Sequence, residues 1–230
     1  MVDIILHGCN GKMGEIVTML AGKDEEVQIV AGVDKCGSKE RAYPVFDSLW
    51  ECGVKADAVI DFSHSAGIEE LLNVCEKRSL PLVLCTTGLS QEQQKKIEKS
   101  SGKFPILQSA NMSLGITVLL GLLKTLGKEL IPRGYDVEII EKHHRYKKDA
   151  PSGTALALRK AVGEENIPIT SVRCGKIVGE HEVIFAGEDE VIEIKHTAYS
   201  KTIFAKGALE AAKFLPGQKN GLYTIKDVFL

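Results

Sequence analysis

Val2-Asp3-Ile4-Ile5-Leu6-His7-Gly8-Cys9-Asn10-Gly11-Lys12-Met13-Gly14 combines a strand, a turn and the start of a helix. The β-branched and apolar run from Val2 to His7 reads as a buried strand ending at Gly8. From Lys12 to Ala21, Met13, Ile16, Val17 and Leu20 recur at helical spacing. Val27 to Val33 is again strand-like, which completes the β-α-β unit from which parallel sheets are built. The glycines at 8, 11 and 14 have the spacing of a dinucleotide fingerprint, shifted by one residue. Glycine permits the tight turn and lets a pyrophosphate approach the backbone. The helix start supplies unpaired N–H groups and a positive dipole end.

Asp34 follows Gly14 by about 20 residues, where a carboxylate accepts from the ribose hydroxyls of NAD. Lys35 beside it offers a cation for the 2′-phosphate of NADP, so use of both NADH and NADPH is expected. The candidate cofactor residues here are Gly8, Cys9, Asn10, Gly11, Lys12, Met13, Asp34 and Lys35. A glycine-rich turn with no ligand is the plainer reading. The complete strand, loop, helix, strand and acid argue against it.

Outward from this unit the alternation continues. Strands are expected at Ala58 to Ile60, Leu82 to Leu84 and Phe104 to Leu107, with helices from Ile68 to Lys77 and from Ser90. Ser90 and Gln93 have capping-box spacing. The first half is therefore a Rossmann-like doubly wound parallel sheet. After Asn111 the rhythm changes. A long apolar helix over Leu114 to Leu130 and a strand over Tyr135 to Glu141 come first, then a helix over Thr154 to Val162. Strand-like runs follow at Ile167 to Arg173, Glu182 to Ala186 and Val191 to Thr197, then a helix at Thr202 to Leu215. Several strands in succession predict a second α+β domain with a mixed or antiparallel sheet, beginning near residue 111.

The chain has 230 residues, 44% hydrophobic and 26% charged, as in a globular protein with a real core. A net charge of -2 argues against a nucleic-acid binder. No apolar run approaches the roughly 18 residues of a membrane span. No basic leader with a cleavage site precedes Gly8. The six cysteines, at 9, 36, 52, 75, 85 and 174, have neither Cys-x-x-Cys nor zinc-ligand spacing. They read as idle thiols of a reducing cytoplasm.

Glu141-Lys142-His143-His144-Arg145-Tyr146-Lys147-Lys148-Asp149-Ala150-Pro151-Ser152-Gly153-Thr154 carries the chemistry. A strand enters a loop holding four Lys/Arg and two His within seven residues, and a helix opens at its end. Ser152 and Thr154, with the first-turn amides, suit a carboxylate. Lys147 suits a second anion, and His143 or His144 can move a proton near neutral pH. A charge run is often only a solvated face. The His pair lacks a third ligand of suitable spacing, so no metal is expected. Together these groups suit a substrate with two carboxylates, but residue chemistry alone supports only a reductase or dehydrogenase acting on a small anionic substrate.

The same segment resembles the signature of the dihydrodipicolinate reductase family. The likeness extends through Asp61-Phe62-Ser63, Thr86-Thr87-Gly88, Ser109-Ala110-Asn111-Met112-Ser113-Leu114-Gly115, Gly179-Glu180-His181, Phe185-Ala186-Gly187, His196, Phe204-Ala205-Lys206-Gly207-Ala208 and Gly221-Leu222-Tyr223. The resemblance implies NAD(P)H-dependent reduction of 4-hydroxy-tetrahydrodipicolinate to tetrahydrodipicolinate, in diaminopimelate and lysine synthesis. It implies a nucleotide domain over residues 1–110 and 206–230. A substrate-binding domain over 111–205 would join a homotetramer through its sheet. It makes His143 the general acid and Lys147 its cationic partner. His144, Ser152, Gly153 and Thr154 would hold the substrate's carboxylates. Cys85, Thr86, Thr87, Ser109, Ala110, Asn111 and Met112 would line the nicotinamide side. Cys85 departs from the glycine common in the family, Lys201 from arginine and Phe214 from tryptophan. The rival readings are another NAD(P)-dependent dehydrogenase of a small dicarboxylate or amino acid, and a nucleotide sensor without catalysis.

Overall fold

The computed structural model describes residues 1–35 and 40–230, so Cys36 lies outside the described residues. The chain forms two compact units, Met1–Met112 with Phe204–Leu230, and Ser113–Ile203.

The first unit begins with β1 (Val2–His7), α1 (Lys12–Ala21), β2 (Val27–Val33) and β3 (Val45–Phe46). It continues with β4 (Ala58–Asp61), α2 (Ile68–Arg78), β5 (Leu82–Leu84), α3 (Gln91–Ser101) and β6 (Pro105–Gln108). In β1, Ile4, Ile5 and Leu6 are fully buried, as expected of a parallel strand covered on both faces. Each such side chain contributes roughly 1.5–3 kcal/mol through burial. Ile4 and Leu6 pack with α1, while Ile5 joins Ile68, Leu71 and Val74 of α2 on the opposite face. Strand alternation thus divides one short segment between two cores. The capping box predicted at Ser90 is present. The Ser90 side chain accepts from Gln93 N–H, and the Gln93 side chain accepts from Ser90 N–H.

The second unit holds α4 (Leu114–Leu130), β7 (Asp136–His143), α5 (Gly153–Val162), β8 (Ile169–Arg173), β9 (Gly179–Ala186) and β10 (Val191–Ala198). Its sheet has the order β10-β9-β7-β8. β9 runs antiparallel to both β10 and β7, but β8 runs parallel to β7. The sheet is therefore mixed, because α5 carries the chain back as a crossover between β7 and β8. Ile139, Val183 and Phe185 face α4 and α5 in the core. Ile140 and Ile184 alternate to the other face.

The chain then forms α6 (Thr202–Phe214), β11 (Gly221–Tyr223) and α7 (Ile225–Phe229). β11 pairs with β6 and completes a seven-stranded parallel sheet of order β11-β6-β5-β4-β1-β2-β3. β3, β11 and α7 are additions to the sequence reading. Their 2, 3 and 5 residues are too few for periodicity to register. Among the described residues, no helix is long and apolar enough to cross a membrane.

Candidate active site

In the first unit, the candidate cofactor residues gather at the C-terminal ends of parallel strands, where open α/β sheets bind ligands. Gly8 follows β1 with φ +81°, and a Cβ there would stand 2.7 Å from the Phe62 carbonyl oxygen. A Cβ on Gly14 would stand 2.4 Å from the carbonyl oxygens of both Gly8 and Cys9. Only glycine lets α1 start this close beneath the loop. Gly11 is the N-cap and has no side chain with which to cap, which leaves first-turn N–H groups of Lys12 and Met13 for an anion. Cys9 is fully buried, so the loop offers its backbone here rather than a thiol. This cradle fits a pyrophosphate.

Asp34 stands at the end of β2, where its Oδ2 accepts from Asn10 N–H at 2.9 Å. Lys35 is exposed, with Nζ 3.7 Å from Glu70 Oε2. Arg41, absent from the sequence-based candidates, donates from Nη2 to the Cys9 carbonyl at 2.9 Å. A guanidinium therefore braces the phosphate loop, although no sequence pattern links Arg41 to Cys9.

A second group surrounds Asp61 at the end of β4. Asp61 is fully buried and accepts from His7 Nδ1 at 2.8 Å, Ser63 N–H at 3.2 Å and Thr86 Oγ1 at 2.6 Å. Thr86 is buried and Thr87 exposed. Cys85 N–H donates to the Asp61 carbonyl, and burial followed by the Asp61 charge keeps the Cys85 thiol neutral by raising its pKa. Ser109 follows the neighbouring β6. Its hydroxyl donates to the Asn111 carbonyl at 2.7 Å, folding the Ser109–Ala110–Asn111 turn, and the Met112 side chain is buried.

The second unit carries the basic group. Along β7 the odd-numbered side chains face inward, which buries Glu141 and His143 together. His143 Nδ1 lies 2.5 Å from Glu141 Oε2. Arg173 grips the same carboxylate with two bonds, Nη1 to Oε2 at 2.9 Å and Nη2 to Oε1 at 2.7 Å. Burial would raise the pKa of Glu141, but bonds from Arg173, Ser171 and His143 hold it at about 2. Burial lowers the pKa of His143, Glu141 pushes it up, and the Lys147 and Arg173 charges push it down.

Ser152 is the N-cap of α5 and is almost fully buried. Its hydroxyl accepts from Ala155 N–H and faces His181 Nε2, each at 3.2 Å. That hydroxyl caps the helix from inside the fold, at the start of the turn expected to receive a carboxylate. The exposed Gly153 and the half-buried Thr154 present the first turn of the helix. His181 also meets the His143 ring edge to face at 5.2 Å. Burial, then the His143 charge, lowers its pKa to about 4, so the ring is neutral and shares a hydrogen bond with the Ser152 hydroxyl. His196, paired with His181 across the β9–β10 ladder, lies 3.4 Å from Ser113 Oγ at the start of α4. Lys147 Nζ pairs with Asp149 Oδ2 at 2.9 Å, and the half-buried His144 lies in the same loop. Glu141, Arg173 and His181 were missed by the motif reading, although His181 lies in a quoted Gly-Glu-His triplet. Among the described residues, no group of three His, Cys, Asp or Glu is placed to hold a metal ion.

Comparison with known proteins places these features in context. Residues 2–112 match the family model for the N-terminus of dihydrodipicolinate reductase, and residues 115–229 match that for its C-terminus. The chain is 48% identical over 249 residues to the 4-hydroxy-tetrahydrodipicolinate reductase of Caldanaerobacter subterraneus subsp. tengcongensis, with 99% of this chain and 98% of the relative covered. It is 45% identical to the enzyme of the same name from Clostridium novyi, with the same coverage. Among solved structures, dipicolinate-bound dihydrodipicolinate reductase from Paenisporosarcina sp. TG-14 superposes with a TM-score of 0.82 at 23% identity, covering 97% of each chain. Aspartate dehydrogenase from Thermotoga maritima shares the fold at a TM-score of 0.58 and 13% identity, covering 95% of this chain and 98% of that one.

Proposed function

Because the chain belongs to the dihydrodipicolinate reductase family, we propose that it reduces 4-hydroxy-tetrahydrodipicolinate to tetrahydrodipicolinate with a reduced nicotinamide nucleotide, in diaminopimelate and lysine synthesis. The substrate gains a hydride and a proton and loses water. A bound nicotinamide supplies the hydride; the protein supplies position, charge and the proton.

In the first unit, the amides after Gly11 hold the pyrophosphate, Asp34 takes the ribose hydroxyls, and Lys35 admits a 2′-phosphate. Both NADH and NADPH serve. Cys85, Thr86, Thr87 and the turn from Ser109 to Met112 border the nicotinamide. In the second unit, His144, Ser152, Gly153 and Thr154 bind the carboxylates, and the Ser152 hydroxyl also holds the helix start in shape. Hydride addition to the conjugated imine leaves electron density on the ring. His143 protonates it from Nε2, and Lys147 stabilises the charge meanwhile.

The observation that carries this assignment is the double contact of His181. It touches the His143 ring at 5.2 Å and the Ser152 cap at 3.2 Å. A proton donor thus adjoins the start of an anion-binding helix within one unit. A homotetramer joined through the second-unit sheets would cover Ile140, Val172 and Ile184. The five described cysteines are free thiols, which suits the cytoplasm.

The test mixes purified protein with NADH or NADPH and substrate made in place from pyruvate and aspartate semialdehyde. Substrate-dependent loss of reduced-nicotinamide absorbance is expected with both. No oxidation with either, beside an active control reductase, would overturn the assignment.

A further inference from the structure

We propose that the Glu141–Arg173 ion pair is the positioning device of the proton-transfer site. It selects the ring nitrogen of His143 that gives up its proton, and it holds the Lys147 loop and the start of α5 in register with that ring. The proposal rests on the reading of His143 as the general acid.

The argument starts from the strand. Glu141 and His143 stand two residues apart on β7, so their side chains leave the same face. Glu141 is anionic and 0% exposed. An anion in that position keeps the proton on Nδ1, which it contacts at 2.5 Å. Nε2 is then the nitrogen that gains and loses a proton. It faces Gly179, where no side chain intervenes.

A buried carboxylate alone would be strongly unfavourable, and a two-pronged guanidinium is the partner that compensates it. Arg173 stands directly opposite His143 in the parallel β7–β8 ladder. Its Nη2 also donates to the Asp149 carbonyl at 2.6 Å, and the Asp149 carboxylate holds Lys147 Nζ. Ser152 N–H donates to the remaining lone pairs of Glu141 Oε1 at 3.2 Å. One ion pair therefore bonds to the acid, to the loop that carries the cation, and to the cap of the carboxylate-binding helix.

The groups facing His143 are Glu141 on its own strand, Arg173 on β8, His181 on β9 and Lys147 on the loop. His181 is neutral, Arg173 and Lys147 disfavour the imidazolium, and Glu141 favours it. Burial outweighs Glu141 and leaves the His143 pKa below its ordinary value, and Glu141 limits that fall.

The experiment measures kcat, KM and their pH dependence for the parent and for His143→Gln, Glu141→Gln and Arg173→Lys, with thermal unfolding of each. Activity of the parent falls as pH rises through the His143 pKa. In Glu141→Gln this fall moves to lower pH by about one unit, and kcat drops roughly 10–100-fold. Arg173→Lys keeps the charge but not the three-way geometry. It leaves the pH limb in place and raises KM for substrate about tenfold. An inactive His143→Gln beside a Glu141→Gln whose kcat and pH limb match the parent overturns the ion-pair proposal alone. A fully active His143→Gln overturns the reading of the acid as well. Should Glu141→Gln fail to fold, a folded Arg173→Lys with parental KM overturns the proposal.

Discussion

Asp34 Oδ2 accepts a hydrogen bond from the Asn10 backbone N–H at 2.9 Å, which ties the acid at the end of β2 to the phosphate loop. The carboxylate therefore has two tasks, orienting the loop and meeting the ribose. Asp34→Ala should raise KM for NADH about tenfold, the scale of a lost charge-assisted hydrogen bond. It should raise KM for NADPH less, because a 2′-phosphate relies on Lys35. Equal increases for both cofactors would mean that Asp34 acts through the loop alone.

His143→Gln and Lys147→Ala should each lower kcat by roughly 10²–10⁴, the span usual for a lost acid or charge stabiliser. The phosphate loop belongs to the other unit, so the NADH dissociation constant, read by fluorescence titration, should change little. Near-parental turnover in both variants would remove these residues from the chemistry.

Much of this architecture is legible in the sequence, for reasons that individual residues make clear. β1 and β2 are covered on both faces, so apolar runs announce them. Gly8 and Gly14 stand where a Cβ would strike backbone, so the loop is visible as a spacing. Glu141 is different. Within its strand it reads as one more polar residue, and its burial makes sense only when Arg173 returns beside it from 32 residues away. The same holds for His181 and Ser152, separated by 29 residues, and for Arg41 and Cys9, separated by 32. Such contacts are created by the topology, and local pattern carries no trace of them. The parallel β7–β8 pairing escaped for a related reason, since the direction of a strand depends on the crossover that precedes it.

His181 makes the second unit sensitive to acid. Its pKa is about 4 in the fold, against about 6.5 when exposed. Above pH 6.5 the ring is neutral in both states, and its stabilising contacts are complete. As pH falls from about 6.5 to about 4, the unfolded chain binds a proton that the folded chain refuses, and stability is lost. The loss is on the order of 3 kcal/mol. His181→Gln, which can still hydrogen-bond Ser152 but does not titrate, should show a smaller fall in Tm over that window than the parent. Parallel Tm curves would show that other groups govern acid unfolding.

Gly179 offers a test of the space around the reacting nitrogen. A Cβ there would lie 3.2 Å from His143 Nε2 and 3.5 Å from its Cδ2, so the ring would have to shift by a few tenths of an ångström. The His143 ring is held at Nδ1 by Glu141 and flanked by His181, so it has little freedom to yield without loosening the 2.5 Å bond. Gly179 is already in extended strand, so alanine brings no backbone strain. Gly179→Ala should therefore fold with a Tm close to the parent while kcat falls about tenfold, in keeping with the sensitivity of proton transfer to small misplacements. Its pH limb should also move down, because a displaced ring loses part of the Glu141 bond that supports the imidazolium. A variant with parental kcat and pH profile would show that Nε2 does not work from this side of the ring.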